Sequence, residues 1–416
     1  MVKVLRPLGL ISSQIKLPPE AHVPVEHASN HAAAREATTT ATVAAVDPAA
    51  AAMRALEAPL NFPPLAQAVV PGDQLAIAID EAVPAAADIV RGVIAAAEAA
   101  GIEPDAITIV TSDEEFCRTL RDELGSGNGA APRVVVHDAD DPHNLCLIGL
   151  TEKDEPLLVN RTIYEADVVL PIGCARLPEI AGSGVYDSLY PRFCDAQTIS
   201  RRRTPSQRET AARRAAARRK AEEAGWLLGV PMVIQVVPGG GGSVAEVVAG
   251  ESRAVAERCQ QLCEQRWSFQ APRRASLVIA TVSGGSQEQS WENIARALAA
   301  TERLVAEGGA VAICSDLETA PGQSIGRLVG GSDLADVERE VRNDHSPDSW
   351  PAWQLARAQQ RGPVYFLSHL DAEVVEEMGL APIADMDELA RLAGRHESCI
   401  VLEDSQHAVA TVAGES

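Results

Sequence analysis

The stretch LAIAIDEAVPAAADIVRGVIAAAEAAGIEPDAITIVT, residues 75–111, decides the fold class. Its opening run, LAIAID (75–80), is apolar at odd and even positions alike, a pattern a strand carries when both of its faces are covered. An Ala-rich helical segment follows at 85–100 and stops at Gly101, and a second doubly apolar run, AITIVT, fills 106–111. Strand, helix and strand joined this tightly indicate a parallel βαβ unit. The rhythm continues outward with a helix over 113–124 ending at Gly125, then strands RVVVHD (133–138) and ADVVLPIG (166–173). In such a sheet the loops at the strand C-terminal ends are where a ligand sits.

Toward the N-terminus, Asp47-Pro48 reads as an N-cap with Pro at the first helical position. Residues 1–45 read as a short strand or hairpin and a loose lead-in carrying His22, His27 and His31. The last two are spaced to share a helical face and bind a metal, but the low-complexity stretch offers no carboxylate cage, so a solvated stretch is the favoured reading. Toward the C-terminus a basic helix spans 201–225, with Thr204-Pro205-Ser206-Gln207 as a capping box. A strand, VPMVIQVV (230–237), then meets the glycine run 239–242, read as a hairpin loop because no phosphate-loop spacing supports another role. A helix is expected over 244–265. A second α/β series follows, with strands at 276–285, 310–316, 363–368 and 399–404 and helices at 289–307, 373–379 and 386–394. The fold class is α/β in two domains, 1–270 and 271–416, each a mainly parallel sheet flanked by helices, with a ligand cleft between them.

The 416 residues suit two cores, and aromatic residues are only 3%, so few platforms exist for stacking bases or sugars. A formal charge of −22 repels nucleic acid and anionic membranes. Eight scattered cysteines, the closest pair being Cys259 and Cys263, read as reduced buried thiols rather than a metal site. With neither a leader pattern nor a membrane-spanning apolar run, the expected location is cytoplasmic.

Several phrases, in order, resemble the nickel-pincer lactate racemase family. LAIAIDEAVP is similar to that family's strand and DxTRP loop. GLTEKDEPLLVNRTIYEADVVLPIG (149–173) is the most specific match. AGSGVYDSLYP (181–191) stands where the family has AGFSGGxKxxLPG. VVPGGGGSVAEVVAGE, SGGSQEQSWENIARAL and EGGAVAICSDLETAPGQSIG follow in the family's order. The resemblance runs from about Asn61 to the C-terminus. It implies a nickel-pincer nucleotide attached through a lysine, hydride shuttling at C2 of a 2-hydroxy acid, and histidines serving as nickel ligand and acid–base partners.

The chain departs from that pattern at the residues that carry the chemistry. Asp80 keeps the acidic position of the first loop, but Val83 replaces its arginine. Glu114 and Glu115 replace a His-Arg pair, Pro178 replaces a histidine, and Arg203 falls near another histidine position. The attaching lysine's position is Asp187, and no lysine lies between Lys153 and Lys220. Arg296 stands where the second domain has a lysine; it keeps the charge but shuttles no proton. Asp80, Glu114, Asp187 and Arg296 are therefore the candidate cleft residues, with no confident catalytic, metal or cofactor set.

The favoured expectation is a catalytically degenerate relative, a pseudoenzyme without a cofactor, whose cleft binds a small carboxylate, another small ligand or a partner protein. Two alternatives stay open. One is a carboxylate-based enzyme holding a hard cation between Asp80, Glu114 and Asp187. The other is an active 2-hydroxy acid racemase or epimerase, an isomerase with relocated groups, which would still need the nickel-pincer nucleotide.

Overall fold

The computed structural model describes residues 26–27, 46–125, 131–150, 156–203, 211–329, 334–341, 344 and 346–414. Its strands are β1 (Glu26–His27), β2 (Leu75–Ile79), β3 (Ile107–Thr111), β4 (Arg133–Val136), β5 (Leu145–Leu150), β6 (Pro156–Asn160), β7 (Val168–Cys174), β8 (Val233–Pro238) and β9 (Val244–Gly250). The series continues with β10 (Ser268–Ala271), β11 (Ala275–Thr281), β12 (Val305–Cys314), β13 (Val364–Leu367), β14 (Ala381–Pro382), β15 (Cys399–Leu402) and β16 (Val409–Val412).

The first sheet runs β4-β3-β2-β7-β8-β9, parallel except for β9. The second runs β14-β13-β12-β11-β15 and is parallel throughout. Every residue of β2, β3, β7 and β8 is buried, as their uninterrupted apolar runs require. Helices supply the cover. The helix Pro48–Glu57 is capped by Asp47, which accepts the Ala50 N–H at 3.1 Å. The helix Glu114–Leu124 is capped by Asp113, which accepts the Phe116 N–H at 2.7 Å. The helix Pro48–Glu57 lies so close to the helix Ala86–Ala99 that a Cβ on Gly92 would sit 2.2 Å from the Ala49 carbonyl oxygen. One apolar cluster takes in side chains of both sheets, such as Val169, Val237, Val278 and Ile313, and the two outer faces carry clusters of their own.

Three expectations change. The segment after the glycine turn starts as a strand: β9 pairs antiparallel with β8, Gln235 opposite Val248, and the helix begins at Ser252 and runs to Trp267. Val244, Val247 and Val248 favour the pleated edge position over a helix. The described part of the basic region is the helices Ala196–Arg203 and Ala211–Leu227, so helix extends beyond 201–225 at both ends, and the capping box at 204–207 lies outside the described residues. Residues 145–150 and 156–160, where no element was anticipated, pair antiparallel as β5 and β6. Of the lead-in, His22 and His31 lie outside the described residues, while His27 pairs with Phe269 where β1 meets β10. The expected boundary at 270 falls inside β10, which also pairs with β16.

The cysteines are free thiols, all buried except the half-buried Cys146. Burial pushes the Cys263 thiol up to about 12 and that of Cys259 higher still. No described helix is long and apolar enough to cross a membrane.

Candidate functional site

In the first sheet the chain leaves β2 toward β3 on one side, while β7 and β8 lie on the other. The strand order therefore reverses between β2 and β7, and a doubly wound sheet opens a crevice at the C-terminal ends of such a pair. Asp80 follows β2 directly, and Arg176 lies two residues beyond β7. Their side chains are 5% and 2% exposed and approach to 3.7 Å. Arg192 reaches Asp80 at 3.1 Å and also pairs with Glu81. Ser112, at the end of β3, donates to Glu81 at 2.9 Å and accepts from Arg192 at 3.1 Å.

The second sheet contributes through the helix Trp291–Thr301, which follows β11. Its Arg296 is buried, donates to Asn293 Oδ1 at 2.6 Å and pairs with the half-exposed Glu292. The guanidiniums of Arg176 and Arg296 flank Gly182: a Cβ there would lie 3.5 Å from Arg176 Nη1 and 3.6 Å from Arg296 Nη2. Gly182 also has a φ of +79°, a conformation glycine adopts without strain. Arg176 donates to the carbonyls of Cys174 at 3.4 Å and Gly182 at 3.1 Å.

The electrostatics follow from this convergence. Burial alone would raise the Asp80 carboxyl, but Arg192, Arg176, the Ala82 amide and Arg296 together hold it below its ordinary value. Arg296 holds Glu292 down in turn. Burial lowers the Arg296 guanidinium against the pull of Glu292, whereas at Arg192 the carboxylates Asp80 and Glu81 outweigh burial and raise it. Three cations and three carboxylates balance formally, yet Nε of Arg176, Arg192 and Arg296 each lacks an acceptor among the described residues. Beside them lies His407, buried against the Trp267 ring at 5.2 Å, with Nδ1 unpartnered. Burial, then Arg176 and Arg296, push its pKa well below the usual value and keep the ring neutral. A cavity of about 130 Å³ is lined by Arg176, Ser183, Gly184, Tyr186, Arg218 and Gln235, among others.

Of the four residues singled out in the sequence, Asp80 and Arg296 share this junction. Glu114 does not: it is exposed in the first turn of its helix, where the helix dipole favours a carboxylate. Asp187 makes a turn, its Oδ2 accepting the Gly184 N–H at 2.9 Å. Among the described residues no group of three or more His, Cys, Asp and Glu is arranged to hold a metal. Val83, where the resemblance implies an arginine, is buried in the apolar layer over the first sheet. Sequence reasoning missed Arg176, Arg192 and His407. A signal for Arg176 was present, since a basic residue just past β7 stands opposite Asp80 just past β2.

Comparison with known proteins finds relatives of this fold. The lactate racemase N-terminal domain family model matches residues 22–210. Lactate racemase of Thermoanaerobacterium thermosaccharolyticum is 24% identical over 276 residues, 63% of this chain and 64% of that protein. The match thus spans just under two thirds of the curated relative. The structure of the lactate racemase apoprotein from the same organism superposes with a TM-score of 0.69 at 20% identity, over 88% of this chain and 93% of that one. A crystal structure of a Thermotoga maritima protein gives a TM-score of 0.65 at 13% identity, over 88% and 99% of the two chains. Residues 22–210 match the lactate racemase N-terminal domain model, and the chain is similar to lactate racemase over part of its sequence and in its fold.

Proposed function

We propose that this lactate racemase-like chain binds a small carboxylate at the junction of Asp80, Arg176, Arg192 and Arg296 and does not racemise it through a lysine-tethered group. The observation that carries the reading is the meeting of three guanidiniums from three separate segments, those of Arg176 and Arg296 buried and that of Arg192 mostly so, each with a buried Nε that no acceptor among the described residues satisfies. Burying such donors unpaired is costly, and the Arg176–Asp80 pair is too long to be a hydrogen bond. A carboxylate offers two oxygens to a guanidinium fork in a geometry that repays this cost. The 130 Å³ cavity beside Arg176 has room for a ligand of several non-hydrogen atoms.

The residues present do not fit a tethered nickel-pincer nucleotide. The position that the resemblance assigns to the attaching lysine holds a carboxylate already committed to the Gly184 amide. The chain has only four lysines, Lys3, Lys16, Lys153 and Lys220, none of them among the junction residues. What the chain's own groups provide is charge recognition and a neutral imidazole.

His407 favours a second reading, a 2-hydroxy acid isomerase whose proton carrier has moved to the C-terminal region. Its unpartnered Nδ1 beside Arg176 and Arg296 is placed to accept a proton, though its lowered pKa makes it a weak base at neutral pH.

Titration calorimetry with D-lactate, L-lactate and longer 2-hydroxy acids tests the proposal. Saturable binding that weakens at least tenfold in Arg176→Gln and Arg296→Gln is expected, with no enantiomer interconversion. Binding unaffected by either substitution rules the junction out. Interconversion that disappears in His407→Asn establishes the isomerase reading instead.

A further inference from the structure

The glycine turn of the first sheet meets the second sheet around two buried carboxyls. Asp404 is 1% exposed, and its Oδ1 accepts the N–H of Gly241 at 3.0 Å, 163 residues away in sequence. Glu288 is 6% exposed, and its Oε2 accepts the Gly285 N–H at 2.8 Å. Bare backbone fills the space between: a Cβ on Gly242 would lie 2.8 Å from Gly284 Cα and 3.2 Å from Glu288 Oε2. Gln406, also buried, is anchored by its Nε2 on the Ser283 carbonyl at 2.8 Å. Glu288 Oε1, Asp404 Oδ2 and Gln406 Oε1 are buried acceptors with no hydrogen-bond partner among the described residues at normal distance, the Ser283 hydroxyl being the neutral donor that bears on Asp404. Such a cluster is unfavourable while both carboxyls are ionised, and adding a proton turns one orphan acceptor into a donor.

We propose that this contact is a proton-dependent latch between the 239–242 turn and the second sheet, closed when Glu288 and Asp404 are protonated and loosened when both ionise. Burial pushes the Glu288 carboxyl up to about 7, with Asp404 adding to it, and burial pushes Asp404 up to about 6. The glycine turn and the 283–287 loop bring no ionisable side chain to the pair. The Cys174 thiol at the end of β7 faces Glu288, and Glu403 precedes Asp404. Glu292 on the neighbouring helix is tied to Arg296. The Arg176 and Arg296 guanidiniums bear on His407, three residues past Asp404, and neither shifts the two latch carboxyls. Because Asp404 and His407 share one short helical turn, release of the latch also loosens His407 from the arginines.

The sign follows from the raised values. Closure is fully supported below the ordinary carboxyl values of 3.8 and 4.5, is lost as pH rises, and reaches its floor above about 7. Hydrogen exchange tests this on the full chain, following a peptide over 239–246 from pH 5 to 8 after correction for intrinsic rates, with β11 as the reference for global unfolding. Protection of 239–246 should fall at least tenfold between pH 5 and 7 and then level off, while β11 stays protected. In Glu288→Gln/Asp404→Asn the profile should be flat. A flat wild-type profile, or the same slope in the double variant, overturns the proposal. So does protection restored at pH 8 by Mg²⁺ or Ca²⁺ in the wild type alone, which would mean that a cation fills the cluster. Should the double variant fail to fold, the wild-type profile and the single Glu288→Gln variant decide.

Discussion

Replacing Asp80 with Asn changes one atom and removes the charge that one buried and one partly exposed guanidinium share. Arg176, 2% exposed, and Arg192, 19% exposed, would then face each other across an amide. Removing one member of a buried ion pair costs about 3–5 kcal/mol, mostly because the surviving charge stays desolvated without compensation. Arg192 keeps Glu81, and Asn keeps an acceptor for the Ala82 amide, so the lower end, about 3 kcal/mol, applies here. Urea unfolding followed by circular dichroism at pH 7 reads this loss directly. The double variant Asp80→Asn/Arg176→Gln should recover about 1–2 kcal/mol of it, because the substitution also removes one stranded cation. The pH dependence provides an internal check. The folded-state pKa of Asp80 is depressed, so its contribution is present above the ordinary value of 3.8 and is lost as pH falls through the lower folded value. The gap between wild type and Asp80→Asn should therefore hold constant from pH 8 to 5 and close only in stronger acid. A loss below about 1 kcal/mol at pH 7, or strict additivity in the double variant, would refute the shared-charge reasoning.

Two further outcomes follow from the packing. Gly92→Ala should destabilise by about 1–3 kcal/mol despite its better helix propensity, because its Cβ would meet the Ala49 carbonyl; Gly326→Ala, with open space around it, serves as the neutral control in the same unfolding assay. Of the eight free thiols, Cys146 alone is not fully buried, so Ellman's reagent at pH 8 should modify one cysteine in the native protein and all eight after denaturation.

Strands β2, β3, β7 and β8 of the first sheet were legible because they are buried on both faces and therefore spell largely apolar runs. β9 was not, since VAEVVAG carries no alternation that separates an edge strand from the start of a helix; only its pairing with β8 across the glycine turn decides the matter. The β5–β6 pair was hidden for a related reason: its residues mix exposed, half-buried and buried positions, so no clean period marks it. The site was half legible. Asp80 and Arg296 stood out through their positions in the pattern of loops that the resemblance implies, and they do share a junction. Glu114 and Asp187 stood out in the same way and turned out to serve a helix start and a turn. Arg192 reaches Asp80 from 112 positions further along the chain, and His407 comes from beyond the last strand of the second sheet. Such convergence is a property of the folded crevice, not of local spacing.

The loss of the lysine tether is tested most directly by intact-mass spectrometry of the full chain produced together with enzymes that make the pincer nucleotide. The account predicts the mass of the bare polypeptide. A species heavier by a covalently held nucleotide would contradict it, and would mean that some other side chain in this crevice has taken over the attachment.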